Sequence, residues 1–133
     1  MRPIVYDTDV ASAEIKRRLP SALAAKLAGR SPVLTFVGQA ELLEWTFGRN
    51  WGSWKRAQFD RWFIDVPTLP GDPLVAQTYA RLSFAAKSRG RPRPMNDMWV
   101  ASCCLAHDLP LATLNVKDFD DFRIHHGLEI VTA

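Results

Sequence analysis

The sequence predicts an α/β fold, a three-layer α/β/α sandwich around a mainly parallel sheet of roughly five strands. Short apolar runs with strand-like composition alternate with longer segments of helical composition, which is the pattern of βαβ units. The chain has 133 residues, of which 47% are hydrophobic and 23% charged. That size and composition favour one hydrophobic core and a single domain over residues 1–133.

The first half of the chain shows this alternation clearly. Its predicted strands are residues 3–6, 32–35 and 63–66. Its predicted helices are residues 11–19, 36–47 and about 54–62, with a turn at 48–52. The first strand ends at Asp7, and Thr35 is placed to cap the helix that follows the second strand.

The second half continues the pattern. A helix is predicted from about Asp72 to Lys87, and a basic, proline-rich loop ends it. Asn96 or Asp97 can cap the next helix, which is apolar almost all round. The remaining predicted elements are a strand at 111–113, a short helical turn at 118–122 and a strand at 128–132.

Basic residues are concentrated in two clusters of a chain whose net charge is +3. One cluster is Lys16, Arg17 and Arg18. The other lies in an acid-free stretch, residues 81–93, and includes Lys87, Arg89, Arg91 and Arg93. Such clusters are typical either of a solvated surface or of a site for nucleic-acid phosphates, and the sequence leaves both open.

The apolar stretches are too short to cross a bilayer, so no membrane partner is expected. Cys103 and Cys104 are adjacent, a spacing that is poor for a structural disulfide, and the chain has no other cysteine. They are expected to be buried thiols in a reducing environment. A cytoplasmic location is therefore predicted.

Three acids occupy positions where a soluble fold has no structural need for a charge. Asp7 directly follows a strand, Glu41 stands in an apolar helical turn, and Asp97 begins an apolar helix, where it could also be a simple cap. In sheets of this kind the site lies beyond the carboxyl ends of the strands, where the strand order reverses. Carboxylates that converge there repel one another unless a hard cation binds, so the sequence predicts an Mg²⁺ or Mn²⁺ site.

Four segments resemble, in order and spacing, the four motifs of VapC-like PIN-domain nucleases. They are residues 4–10 (IVYDTDV), 39–42 (QAEL), 96–101 (NDMWVA) and 113–119 (TLNVKDF). Each motif alone is weak. Together they are specific, and the resemblance covers essentially the whole chain.

The resemblance implies a set of site residues. The metal-coordinating catalytic acids would be Asp7, Glu41 and Asp97. The fourth position falls on Asn115, which would orient metal-bound water, with Asp118 close behind to supply charge. Asp9 is unusual for the family and would add a carboxylate or cap the first helix. The supporting polar groups would be Thr8 and Thr113.

The resemblance also implies an activity and partners. It predicts a Mg²⁺- or Mn²⁺-dependent endoribonuclease, a growth-inhibiting toxin that a cognate VapB-like antitoxin neutralises. RNA would be the substrate, with Lys87, Arg89, Arg91 and Arg93 as candidates for holding its backbone, and the protein would be a homodimer. Trp51 and Trp54 would belong either to core packing or to the surface that accepts the antitoxin, and the second is slightly favoured.

Three alternatives remain at the level of sequence. A PIN-type nuclease could serve RNA processing instead of growth inhibition. A non-catalytic PIN-like protein could bind RNA or act as a scaffold, for which the amide at Asn115 is an argument. Asp7-Thr8-Asp9 could also be the D-x-D motif of a haloacid-dehalogenase-type phosphatase, although Ala11 departs from that pattern.

Overall fold

The computed structural model describes residues 2–48 and 51–133 and has the predicted α/β architecture. The strands are β1 (Arg2–Tyr6), β2 (Arg30–Thr35), β3 (Thr68–Leu69), β4 (Leu111–Ala112) and β5 (Ile130–Val131). The helices are α1 (Thr8–Ile15), α2 (Ser21–Leu27), α3 (Phe36–Gly48), α4 (Ser53–Ile64), α5 (Pro73–Ser88), α6 (Met95–Ala106) and α7 (Val116–His126).

The five strands form one parallel sheet in the order β3-β2-β1-β4-β5. From β1 the chain winds outward through β2 to β3, and then returns to the other side of β1 for β4 and β5. The strand order therefore reverses between β1 and β4. Crevices at such reversals are where α/β sheets place their ligands, so the ends of β1 and β4 mark the expected site.

Two hydrophobic clusters cover the two faces of the sheet. Successive residues of a strand point to opposite faces, and in β1 Val5 belongs to one cluster while Ile4 and Tyr6 belong to the other. All three side chains are buried. A central strand buried on both faces requires helices on both sides, which confirms the three-layer sandwich.

Helix α1 begins and ends earlier than the predicted range 11–19. Asp7 is its N-cap and accepts a hydrogen bond from the Thr8 backbone N–H, so the helix starts directly after β1. Helix α2 was not predicted from the sequence. Its residues Leu23 and Leu27 are buried against the sheet, and tertiary packing of these two leucines stabilises a helix of only seven residues.

The third strand was predicted at 63–66, and this prediction was wrong. Helix α4 continues through Ile64, and the stacked rings of Phe59 and Phe63, with centroids 5.3 Å apart, lie on it. The strand begins only after Pro67, whose carbonyl accepts a hydrogen bond from the Leu34 backbone N–H. A short apolar run fits either a strand or the end of a helix, which explains the error. Residues 49 and 50 of the predicted turn lie outside the described residues.

The capping predictions had mixed outcomes. Thr35 accepts a hydrogen bond from the Gly38 N–H at 3.0 Å, and Asp72 accepts one from the Val75 N–H at 2.9 Å, as predicted. The cap of α6 is Pro94, so the prediction that Asn96 or Asp97 caps it was wrong. The Asp97 carboxylate, in the first turn of α6, is therefore not needed as a cap. Helix α7 also extends well beyond the predicted turn at 118–122.

Most tryptophans contribute to packing. Trp99 stacks on Tyr79 with ring centroids 3.9 Å apart. Trp62 donates its indole N–H to Glu14 Oε2 at 2.7 Å, and the Tyr6 hydroxyl donates to Glu14 Oε1 at 2.9 Å. Glu14 thus ties α4 to α1 and β1.

The cysteine prediction is confirmed, because Cys103 and Cys104 are free and buried. Among the described residues, no helix combines the length and the apolar character that a bilayer crossing needs.

Candidate active site

Asp7 lies at the point where the strand order reverses, and it is tied to both central strands. Its Oδ1 accepts a hydrogen bond from the Thr8 backbone N–H at 2.9 Å. Its Oδ2 accepts one from the Thr113 hydroxyl, directly after β4, at 2.8 Å. Thr113 is fully buried, so its hydroxyl fixes the orientation of the Asp7 carboxylate.

Glu41 reaches the same region from helix α3. Its Oε1 accepts a hydrogen bond from the Thr8 hydroxyl at 2.8 Å. Thr8 therefore contacts Asp7 through its backbone and Glu41 through its side chain. This arrangement places two of the predicted acids beside each other, although 34 positions separate them in the chain.

Asp9 connects the first turn of α1 to the loop after β4. Its Oδ2 accepts hydrogen bonds from the Leu114 backbone N–H and from Asn115 Nδ2, both at 3.1 Å. The Asn115 backbone N–H in turn donates to the Thr113 hydroxyl at 3.0 Å. Because Asp7 is the cap of α1, the alternative in which Asp9 caps that helix is wrong.

Asp97 and Asp118 stand in the first turns of α6 and α7. Helix N-termini favour negative charge, so these positions lower the cost of keeping the carboxylates ionised. Asp97 is half-buried, whereas Asp118 is exposed. Burial raises the pKa of Asp97, and the nearby Arg93 guanidinium offsets only part of this increase.

The charges of the five acids act on one another. Burial, followed by the charges of Asp9 and Glu41, raises the pKa of Asp7 to about 6. Burial and the Asp118 charge raise the pKa of Asp9. Burial together with the charges of Asp118 and Glu41 raises the pKa of Asp97. These repulsions link Asp7, Asp9, Asp118, Asp97 and Glu41 in a closed sequence, which we call the carboxylate ring.

The carboxylate ring fits a hard divalent cation by its chemistry, because every side chain in it offers carboxylate oxygens as ligands. Within residues 2–48 and 51–133, no three acidic, histidine or cysteine side chains already lie close enough to enclose an ion. One ring oxygen is nevertheless held without a partner: Asp9 Oδ1 is buried, and no group in the described part of the chain donates to it. A bound cation would satisfy this oxygen and relieve the repulsion.

The four basic candidates for RNA binding occupy different environments. Arg89 is paired with Asp121 Oδ2 at 2.8 Å, and its side chain is 26% exposed. Lys87 and Arg91 are exposed, and Arg93 is half-buried near Asp97. The structure therefore separates Arg89, which joins α5 to α7, from the other three.

An aromatic groove, defined here by Trp45, Trp51 and Trp54, is lined by none of the acids of the carboxylate ring. It encloses a cavity of about 360 Å³ that Lys16 and Arg18 also line. Trp54 is 68% exposed, while Trp51 packs edge-on against Phe59. Trp51 thus contributes to the core and to the groove, and Trp54 is available for contact with a partner.

Two site features were missed by the sequence analysis. The first is the hydrogen bond between Asp9 and Asn115, which are 106 positions apart. The second is the effect of the Arg93 charge on the pKa of Asp97, with Arg93 before the start of α6 and Asp97 inside it. The first pair has no local sequence signal, whereas Arg93 and Asp97 are only four positions apart, a spacing that could have suggested their interaction. The separate motifs could indicate that both regions belong to the site, but not which side chains meet.

The raised pKa of Asp7 predicts a pH dependence of stability in the protein free of divalent ions. The folded state binds the proton of Asp7 more tightly than the unfolded chain does, since the pKa rises from 3.8 to about 6. The free energy of unfolding should therefore fall as pH rises from about 4 to about 6, by up to about 3 kcal/mol from this residue. Urea denaturation in the presence of a chelator should show this fall in the wild type and a smaller one in Asp7→Asn. Equal slopes in the two proteins would contradict the prediction.

Comparison with known proteins gives consistent results in sequence and structure, although no protein-family model matches the chain. The chain is 30% identical over 120 residues to ribonuclease VapC1 of Haemophilus influenzae (strain R2866), a match that covers 86% of this chain and 88% of the relative. Ribonuclease VapC5 of Mycobacterium tuberculosis (strain ATCC 25618 / H37Rv) is 35% identical over 63 residues, which cover 47% of this chain and 44% of that protein.

Solved structures share the fold along nearly the whole chain. The VapBC-1 structure from nontypeable Haemophilus influenzae has a TM-score of 0.79 and 26% identity, with 96% of both chains covered. The VapBC-5 toxin–antitoxin structure from Mycobacterium tuberculosis has a TM-score of 0.74 and 27% identity, with both chains fully covered. The fold, the ordered motifs and the extent of the sequence match agree. The chain therefore belongs to the VapC family of PIN-domain ribonucleases.

Proposed function

We propose that this protein is an endoribonuclease that inhibits growth and is neutralised by a cognate VapB-like antitoxin. The observation that carries the proposal is the carboxylate ring, in which acids on α1, α3, α6 and α7 repel one another and Asp7 lies where the strand order reverses. The chain is similar in sequence to a ribonuclease and in sequence and fold to a toxin–antitoxin structure, and these similarities support the same role here. Membership in the family argues against the phosphatase alternative.

The metal ion in this proposal is Mg²⁺ or Mn²⁺, and the residues that would hold it are Asp7, Glu41 and Asp97, with Asn115 and Asp118 as further candidates. When bound, it supplies the positive charge that activates a water molecule and stabilises the transition state of phosphodiester hydrolysis. Thr8 and Thr113 orient the carboxylates of Glu41 and Asp7 through their hydroxyl groups. The Asp7 carboxylate binds a cation only when deprotonated, so its raised pKa should weaken metal binding below about pH 6.

The RNA backbone would approach along the end of α5 and the loop that follows it. Lys87 and Arg91 are exposed there, and Arg93 lies beside Asp97. Cations at these positions can neutralise phosphates without occupying the acidic site itself. Water attack would leave a 5′-phosphate and a 3′-hydroxyl, the products that the family resemblance implies.

The antitoxin would bind through an amphipathic segment in the aromatic groove. Exposed Trp54, the cavity and the basic lining by Lys16 and Arg18 suit a segment with apolar and acidic side chains. We also propose that the toxin acts in the cytoplasm as a homodimer.

The experiment that tests this function is controlled expression in a bacterial host. The wild type should arrest growth and cleave RNA to products with 5′-phosphate ends, whereas Asp97→Asn should do neither. Co-expression of the antitoxin from the neighbouring gene should restore growth. Cleavage without growth arrest would favour the RNA-processing alternative, and RNA binding without cleavage would favour a scaffold, so either result would overturn the toxin proposal.

A further inference from the structure

We propose that Asp9 supplies a carboxylate to the metal site and that Asn115 is its positioning residue. This inference rests on the proposed function, because it concerns the metal site of the same nuclease. It differs from the implied set of site residues, in which Asn115 itself orients the metal-bound water and a carboxylate from Asp9 is only one of two alternatives, with no link to Asn115. Here the amide of Asn115 is used to hold an acid from another helix.

The hydrogen bonds of Asp9 leave one of its oxygens free for a cation. Oδ2 accepts from the Leu114 N–H and from Asn115 Nδ2, both at 3.1 Å, and this double contact fixes the plane of the carboxylate. Oδ1 is then buried, and within the described residues no donor reaches it with the distance and angle of a hydrogen bond. A buried carboxylate oxygen without a protein donor is costly unless a positive charge faces it.

The position of Asp9 in the carboxylate ring also supports a role in metal binding. Asp9 interacts electrostatically with Asp7, which is buried at the end of β1, and with Asp118 on α7. It is therefore an acid whose charge acts on both Asp7, at the end of β1, and Asp118, on α7. A cation near Asp7 would come under the influence of the Asp9 charge as well.

Asn115 and Asp118 are less suited to complete the site by themselves. Asn115 is exposed and neutral, and its side-chain N–H is already donated to Asp9. Asp118 is exposed, so its carboxylate is less restrained than that of Asp9. Asp9 is half-buried and oriented by two donors, so it loses less conformational freedom when it binds a cation.

The test is Mn²⁺ binding to the purified protein without RNA, measured by isothermal titration calorimetry after chelator treatment. Asp9→Asn should weaken Mn²⁺ affinity at least about tenfold, because ligand charge sets affinity for hard cations. Asn115→Ala should weaken it less, since the Leu114 N–H still holds Asp9. In the Asp9→Asn background, Asn115→Ala should have no further effect, because Asn115 acts through Asp9.

The matched control is Asp120→Asn, which removes the same charge from an exposed ion pair with Arg123, outside the carboxylate ring. It should leave Mn²⁺ affinity unchanged, and urea denaturation should show that all variants remain folded. If wild-type protein binds Mn²⁺ and Asp9→Asn binds it equally well, the inference is overturned while the nuclease proposal stands. If Asn115→Ala weakens binding equally in both backgrounds, Asn115 is not the positioning residue of Asp9. A wild type that fails to bind Mn²⁺ at all would overturn both proposals.

Discussion

Asp97→Asn is expected to reduce RNA cleavage on the order of 1,000-fold while the protein remains folded. The substitution keeps the shape of the side chain and removes a charge that faces Glu41 and Asp118. Because Pro94, not Asp97, caps α6, the helix loses no cap in the variant. The loss of activity should therefore reflect the chemistry of the site and not the stability of the fold.

The same loss of cleavage is expected for Asp7→Asn and Glu41→Gln, measured with an RNA substrate at saturating Mg²⁺. Each variant removes like charge from the carboxylate ring, so the unfolding free energy without metal should stay equal or rise. A suitable control is Asp60→Asn, because Asp60 is an exposed partner of Arg56 on α4. Full activity in all three acid variants would reject this assignment of the active site.

Arg89→Met should destabilise the protein by about 2–4 kcal/mol, because it leaves a buried carboxylate without its cation. The Asp121 side chain is only 11% exposed, and its Oδ2 accepts from Arg89 at 2.8 Å. The remaining neighbour, His125, lies 3.7 Å from Asp121 Oδ1, too far to replace this hydrogen bond. Urea denaturation with fixed protein concentration measures the effect.

Arg91→Met is the matched control for Arg89→Met. Arg91 is exposed in the same loop, so its removal should leave stability nearly unchanged. When Arg91→Met is introduced into a catalytically inactive form of the protein, it should instead weaken RNA binding. The salt dependence of RNA affinity should fall by about one phosphate contact. If Arg89→Met and Arg91→Met change stability equally, the distinction between a structural and an RNA-binding arginine fails.

Local signals allowed much of the fold to be predicted. Strands β1 and β2 are apolar runs that end at polar residues, and helices α3 and α5 follow caps at Thr35 and Asp72. The signals failed where the run was short. Residues 63–66 fit two periodicities, and only the parallel pairing of β2 with Thr68–Leu69 decided where β3 lies.

The candidate site was predictable as a set of residue types but not as a set of contacts. An acid after a strand and an acid in an apolar helix are visible in the chain, because each is unfavourable without a partner. The partner itself is not visible. Thr8 joins Asp7 to Glu41, and Asn115 holds Asp9, through hydrogen bonds between distant segments.

The sequence by itself determined the layer architecture, the acids whose charge is unfavourable without a partner, and the family to which the motifs belong. Only the tertiary structure decided that Arg89 is paired with Asp121, that Asp97 is not a cap and that Asn115 donates a hydrogen bond to Asp9. The reason is physical. Secondary structure follows from interactions within a few residues, whereas hydrogen bonding and charge repulsion depend on distances of a few ångströms that parallel strand pairing and helix packing set across the whole chain.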